Sequence, residues 1–253
     1  MYGGIAMDSV TKQDIISGLR KLGVKPGMEL EVHSSLKSFG YVEGGAITVI
    51  EAIKETVGSN GSIFMPSLRF SPRLPITEED KKLGITLKLK IISPDEEHSG
   101  MGLVADTFRQ MPDVLTSDGI FRVSAWGKNA DKVSHGFQYL IDNGGKALLL
   151  GVDIYRLTSM HYVEDLLPQK IRDIFKPSEE VNKIYPPDQW FVETGEPPVM
   201  AWYTIQNMAF EKGVIKEGRI GKCNVMFFDI WDVVGLYQQE LKNNPYKLYG
   251  IDE

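Results

Sequence analysis

The chain of 253 residues, 42% hydrophobic and 25% charged, is globular in composition and can bury a large core, and its single cysteine, Cys223, excludes an intramolecular disulfide and a cysteine-cluster metal site. A formal net charge of −6 argues against nonspecific nucleic-acid binding and favours a cationic small molecule as partner. No apolar run approaches the roughly 18 residues that span a bilayer, and Met1–Val10 lacks the layout of a secretory signal, so a cytoplasmic location without membrane contact is expected.

Residues 1–8, with Gly3-Gly4, read as a loose end that leaves 9–253 as the folded unit. Thr11 can cap a helix whose apolar residues Ile15, Ile16, Leu19 and Leu22 recur on one face, and Gly23 with Pro26-Gly27 stops it. Met28, Leu30 and Val32 then alternate with Glu29, Glu31 and His33, as in a strand with one buried face. The polar stretch Ser34–Gly40 leads through Gly44-Gly45 into a second helix with an Ala46, Val49, Ile50, Ile53, Val57 stripe. A small-residue loop before a helix presents backbone N–H groups to an anion. Its glycine spacing fits neither a Walker nor a Rossmann motif, and no Gly-x-Ser-x-Gly elbow surrounds Ser34 or Ser35. On pattern alone it is an ordinary strand-to-helix connection.

Ile63-Phe64-Met65 is a short strand ended by Pro66. Residues 67–99 form a long excursion, with a hairpin expected near Ile85–Ile92. A third helix carries Leu103, Val104, Phe108 and Met111; Ile120–Trp126 reads as a strand and Lys128–Leu140 as a helix. The apolar run Ala147–Val152, closed by Asp153, predicts a strand covered on both faces. Residues 168–198 are proline-rich and irregular around a strand at Gln189–Glu193. A helix at Trp202–Glu211, a strand at Asn224–Phe228 and a helix at Asp229–Asn243, with Asp229 as N-cap, complete the chain. Alternating strands and helices predict one three-layer α/β/α sandwich, and the irregular middle allows antiparallel members, hence a mixed sheet.

The run Thr158–Asp165 is the candidate centre of chemistry. It follows the doubly buried strand, whose end is where open α/β sheets place ligands. On a short helix His161 and Glu164 share a face, and a carboxylate beside an imidazole fixes its tautomer and raises its basicity. By spacing alone, a surface histidine near a glutamate is the bland alternative.

Several stretches together resemble the aminoglycoside 3-N-acetyltransferases: Val32–Gly40, Gly44-Gly45-Ala46, Ser62–Ser67, Gly100-Met101-Gly102, Ala125–Lys128, Leu149–Asp153, Thr158-x-x-His161-x-x-Glu164 and Gly218-x-Ile220-Gly221. The resemblance runs in order over most of the chain. It implies acetyl-coenzyme A as donor, a cationic aminocyclitol or amino-sugar acceptor, no metal, and the fold already inferred. It implies His161 as base, Glu164 as its orienting partner, and Thr158 as a donor to the thioester oxygen or leaving sulfur, a helix N-cap being the alternative. The donor loop falls on His33, Ser34, Ser35, Leu36 and Lys37. The strand along pantetheine falls on Phe121–Ser124, thus on Arg122, Val123 and Ser124, with Arg122 either reaching a coenzyme phosphate or lying on the surface. Asp153 and Asp165, with Glu164, are candidates for holding the acceptor.

Direct attack by the amine requires no acyl-enzyme. The chain departs from the family pattern in places: Asp118-Gly119 stands for a His-Pro pair, a Ser-Pro-Leu-Gly segment is absent, and Asp165-Leu166-Leu167-Pro168 lacks the arginine that follows the glutamate. These rim changes predict an acceptor other than typical drugs, for example an endogenous amino sugar of a polysaccharide precursor, unless Glu78, Glu79 and Asp80 rebuild an acidic wall. Two rivals stay open: a metal site on His161 and Glu164, which lacks further ligands nearby, and a coenzyme A-binding homologue without turnover.

Overall fold

Seven strands form the central sheet of the computed structural model, which describes residues 9–195 and 199–252. The expected loose end at 1–8 lies outside the described residues. The order across the sheet is Lys216–Ile220, Cys223–Asp229, Lys146–Leu150, Glu29–Ser34, Ser62–Pro66, Val123–Gly127, Leu115–Thr116. The middle three run parallel and every other neighbouring pair is antiparallel, so the sheet is mixed.

The parallel strands carry the near-continuous apolar runs that burial on both faces requires. Alternate residues leave on opposite sides. Leu30, Val32, Ile63, Met65, Leu148 and Leu150 share one core with helices Lys12–Leu22, Gly45–Val57 and Leu103–Arg109. Phe64, Ala147 and Leu149 join the other, under helices Val199–Glu211 and Ile230–Asn243. The three-layer α/β/α sandwich expected from the alternation is therefore the one observed. No helix among the described residues is long and apolar enough to cross a membrane.

Local differences from expectation have local causes. The segment Lys128–Leu140 is not one helix. It divides into a 3-10 turn, Ala130–His135, and a short helix, Gln138–Asp142. Gly136 separates them at φ +58°, where a Cβ would lie 2.2 Å from the Tyr162 hydroxyl. Asp229 does stand at the N-cap position of the last long helix, but its carboxylate pairs with Lys146 Nζ and makes no capping bond. The strand Lys216–Ile220 escaped the periodicity because only Ile220 of its five residues is buried. The expected hairpin near Ile85–Ile92 is instead a single strand, Ile85–Lys90, paired antiparallel with Trp190–Thr194. The two irregular excursions thus fold onto each other, around a small cluster of Ile85, Val181 and Val192.

A buried ion pair ties that lobe together. Asp80 accepts hydrogen bonds from Lys88 Nζ and, at 2.6 Å, from the Tyr185 hydroxyl. Burial alone would raise the Asp80 carboxyl, yet the bonds from Lys88, Tyr185 and Thr77 outweigh it and hold it well below the usual carboxylate range. Asp80→Ala would leave the Lys88 ammonium enclosed without a counter-charge. Chemical denaturation should show a loss of about 3 kcal/mol. A loss below about 1 kcal/mol, the worth of a surface pair, would mean the lobe does not depend on it.

Candidate active site

Strand register brings the motif residues to one edge of the sheet. Ser34 is paired with Leu150, Pro66 with Val123, and Gly151 N donates to Asn224 O at 2.8 Å. Ser34-Ser35, Ser67, Arg122 and Gly151–Asp153 therefore meet at the carboxyl ends of the parallel strands, where such sheets place ligands. Gly151 turns the chain here at φ +69°, and a Cβ would stand 1.8 Å from Ser38 Oγ, so the two loops close only over glycine. Asp153 then accepts from Tyr155 N at 3.1 Å and starts the 3-10 turn Ile154–Arg156. A second 3-10 helix, Thr158–Leu166, follows.

The short helix expected there is a 3-10 helix, and that form suits the pair it carries. With three residues per turn, side chains three apart eclipse. His161 Nδ1 and Glu164 Oε2 lie 2.6 Å apart. With Glu164 as acceptor the Nδ1 proton points toward it, which leaves the Nε2 lone pair for a substrate. The His161 side chain is 61% exposed. Protein still surrounds it closely enough to oppose its charge. The hydrogen bond and charge of Glu164, with Glu193 and Glu31 adding theirs, outweigh that burial and raise the imidazole above its ordinary pKa. Trp202 packs on the ring at 4.9 Å between centroids, tilted by 59°.

The other expected residues divide. Thr158 opens the 3-10 helix, but Leu157 holds the N-cap position, so the capping alternative for Thr158 falls away. Ser34, Ser35 and Leu36 are partly exposed and Lys37 is exposed, whereas the His33 ring turns inward to Glu31. Val123 and Ser124 lie in the strand Val123–Gly127, and the side chains of Arg122 and Ser124 are engaged by the protein itself. The Arg122 guanidinium is buried and donates to the carbonyls of Ser67 (2.9 Å) and Pro94 (3.0 Å). Val123 N donates to Ser117 Oγ, and Ser124 Oγ is enclosed between Ser67 and Thr116 hydroxyls. Beside them lies a cavity of about 340 Å³ lined by Ser117, Asp118, Phe121, Ser134, His135, Gly136 and Tyr162. Phe121 is 66% exposed there and Tyr162 follows His161 directly. Asp153 is spent on Tyr155 N and on the Tyr203 hydroxyl, whose pKa that bond pushes up to about 12. Asp165 is exposed, and its carbonyl accepts from Arg172. Of the proposed acidic wall, Asp80 is consumed by Lys88 and Tyr185, and Glu78 pairs with Lys81.

Several participants were not legible as site residues. Glu164 Oε1 accepts from the Tyr237 hydroxyl at 3.2 Å, which lies 2.6 Å from that of Tyr249. Burial first, then the charge of Glu164, raises the pKa of Tyr237, so it stays a donor. Glu193, on the ribbon strand, brings a carboxylate whose charge acts on His161, and burial raises its own pKa. Glu31 had a signal that could have been read: a glutamate in a strand covered on both faces needs a partner.

The family model for aminoglycoside 3-N-acetyltransferase matches residues 32–242. The chain is 30% identical, with 94% of each chain covered, to the SPbeta prophage-derived aminoglycoside N(3')-acetyltransferase-like protein YokD of Bacillus subtilis (strain 168). Among solved structures, a histidine-to-alanine mutant of aminoglycoside acetyltransferase AAC(3)-IVa in complex with a gentamicin superposes with a TM-score of 0.70 at 23% identity, covering 95% of this chain and 92% of that one. AAC-IIIb in a binary complex with CoASH does so with a TM-score of 0.65 at 18% identity, over 92% and 97% of the two chains. The motif order, the mixed-sheet fold and the family match along most of the chain agree: it belongs to the aminoglycoside 3-N-acetyltransferase family and is an acyltransferase.

Proposed function

We propose that this chain moves acetyl from acetyl-coenzyme A directly to an amine of an aminoglycoside, with His161 as the general base. One observation carries the assignment: an open imidazole, tied through Nδ1 to Glu164, at the sheet edge where the motif loops converge. The acceptor amine must be neutral to attack, and proton removal by a positioned imidazole of suitable pKa serves that need. Nitrogen bonds to the thioester carbonyl as His161 Nε2 takes its proton. The C–S bond then breaks, and the imidazolium can return the proton to the departing thiolate. Thr158, at the first turn of the same segment, supplies a hydroxyl for the carbonyl oxygen or the sulfur.

Coenzyme binding is supported by the cavity that Tyr162, the residue after His161, helps to line, and by the CoASH complex of a relative with this fold. A cationic acceptor is supported by the carboxylates of Glu164 and Glu193 and by the gentamicin complex of another relative. Cys223 speaks against an acyl-enzyme on sulfur: it is fully buried, and burial pushes its thiol up to about 11.

Release of free thiol from acetyl-coenzyme A should be measured with aminoglycosides and with amino-sugar nucleotides. Turnover with the former, at an efficiency in the ordinary enzyme range of about 10⁴ M⁻¹s⁻¹ or above, is expected from the family match, against the acceptor that the rim changes suggested; turnover confined to the latter would restore that acceptor. His161→Ala should lower kcat by about 10²- to 10⁴-fold with coenzyme binding retained. Near-native turnover of that variant would remove His161 as base. Glu164→Gln takes away a charge that favours the imidazolium, so the base pKa falls and the acidic limb of the pH–rate profile moves to lower pH. A stationary limb would show that Glu164 does not tune the base. Incubation with acetyl-coenzyme A alone should leave the protein mass unchanged; a single stable acetyl adduct in the site would establish a covalent route.

A further inference from the structure

The polar face of the strand Glu29–Ser34 holds a group that the proposed chemistry leaves unused. Glu31 is 0% exposed, in the middle of the central sheet. Its Oε1 accepts from His33 Nε2 at 2.8 Å and from Ser159 N at 3.1 Å. Its Oε2 is enclosed without a hydrogen-bond partner among the described residues. An unmatched carboxylate oxygen in a protein interior carries a cost that an aliphatic side chain would not. Packing therefore does not account for a glutamate here. Ser159, whose N–H donates to Glu31, lies in the first turn of the segment that carries His161. Glu31, held by His33, thus fixes a backbone position two residues before the imidazole.

We propose that Glu31, oriented by His33, is a positioning residue for His161: it fixes the first turn of the segment that bears the base and lends its carboxylate charge to the imidazole from the sheet side. The inference rests on His161 being the base. The charges that reach His161 come from Glu164 on its own segment, Glu193 on the ribbon strand and Glu31 on the central strand. The hydroxyls of Tyr237 and Tyr249, from the two C-terminal helices, face Glu164. Removing the Glu31 charge leaves the other two carboxylates in place and shifts the imidazole toward its neutral form.

The test is NMR titration of the imidazoles, which number four, with His161 identified by its loss in His161→Ala. Glu31→Gln keeps an acceptor for His33 and Ser159 N but removes the charge; Glu31→Leu removes both. In Glu31→Gln the His161 midpoint should move to lower pH, and kcat should fall about 10-fold with KM for acetyl-coenzyme A nearly unchanged. Glu31→Leu should lower kcat by about 100-fold, the scale of a misplaced catalytic group. A folded Glu31→Gln variant with the wild-type His161 midpoint and wild-type kcat would overturn the proposal. If Glu31→Leu does not fold, Glu31→Gln decides alone. Turnover of His161→Ala is recorded in parallel. An active His161→Ala refutes the base assignment, whereas an inactive one beside unchanged Glu31 variants refutes only the positioning role.

Discussion

A strand covered on both faces has to satisfy every polar group it carries, and the strand Glu29–Ser34 carries two on its inner polar face, Glu31 and His33. A buried carboxylate without hydrogen bonds costs several kcal/mol. The backbone donor that meets this one is Ser159 N, at the start of the segment that covers it. That requirement draws the chain after Asp153 down onto the sheet. The 3-10 path of Thr158–Leu166 then sets His161 and Glu164 one above the other, and the 2.6 Å bond between them follows from the eclipsed geometry.

The same segment faces the opposite way along its apolar positions. Met160 and Val163 are buried in the core that holds Phe64, Leu149, Trp202 and Tyr237. His161 is therefore seated on rigid packing rather than on a free loop, and the ring of Trp202 forms part of that seat. Tyr237 completes the support from the last long helix by donating to the second Glu164 oxygen. Glu164 thus has both oxygens engaged, which restricts its rotation and with it the orientation of the imidazole.

Much of this was legible in the residues. The doubly buried Ala147–Leu150 run located the strand end, and the Thr158-x-x-His161-x-x-Glu164 spacing located the proposed base and its partner. Long-range pairing was not legible. Ile85–Lys90 and Trp190–Thr194 have no local sign of each other, and their union brings Glu193 into the group of charges that act on His161. Tyr237 sits among apolar residues of a helix face and reads as core. Arg122 misled in the opposite sense, because a guanidinium can satisfy two loop carbonyls, those of Ser67 and Pro94, as readily as a phosphate. The polar alternation of Glu29, Glu31 and His33 suggested a solvent face. It was correct as a pattern and wrong as a location, since the 3-10 segment supplies the cover.

Three carboxylates act on one imidazole, and the balance among them defines what the site can do. Enclosure by protein opposes the imidazolium, whereas Glu164 by its short bond, and Glu193 and Glu31 by charge, favour it. A base raised too far would be protonated at rest and idle; one left to burial alone would be too weak to take a proton from an attacking amine. The net of these opposed effects is an imidazole raised above its ordinary value. The same negative charges favour a cation brought to the imidazole, so the electrostatics that raise His161 would also favour the proposed cationic acceptor. Burial raises the Glu193 carboxyl while the His161 charge lowers it, and this links the two groups directly. Proton uptake by His161 would therefore favour the ionised form of Glu193.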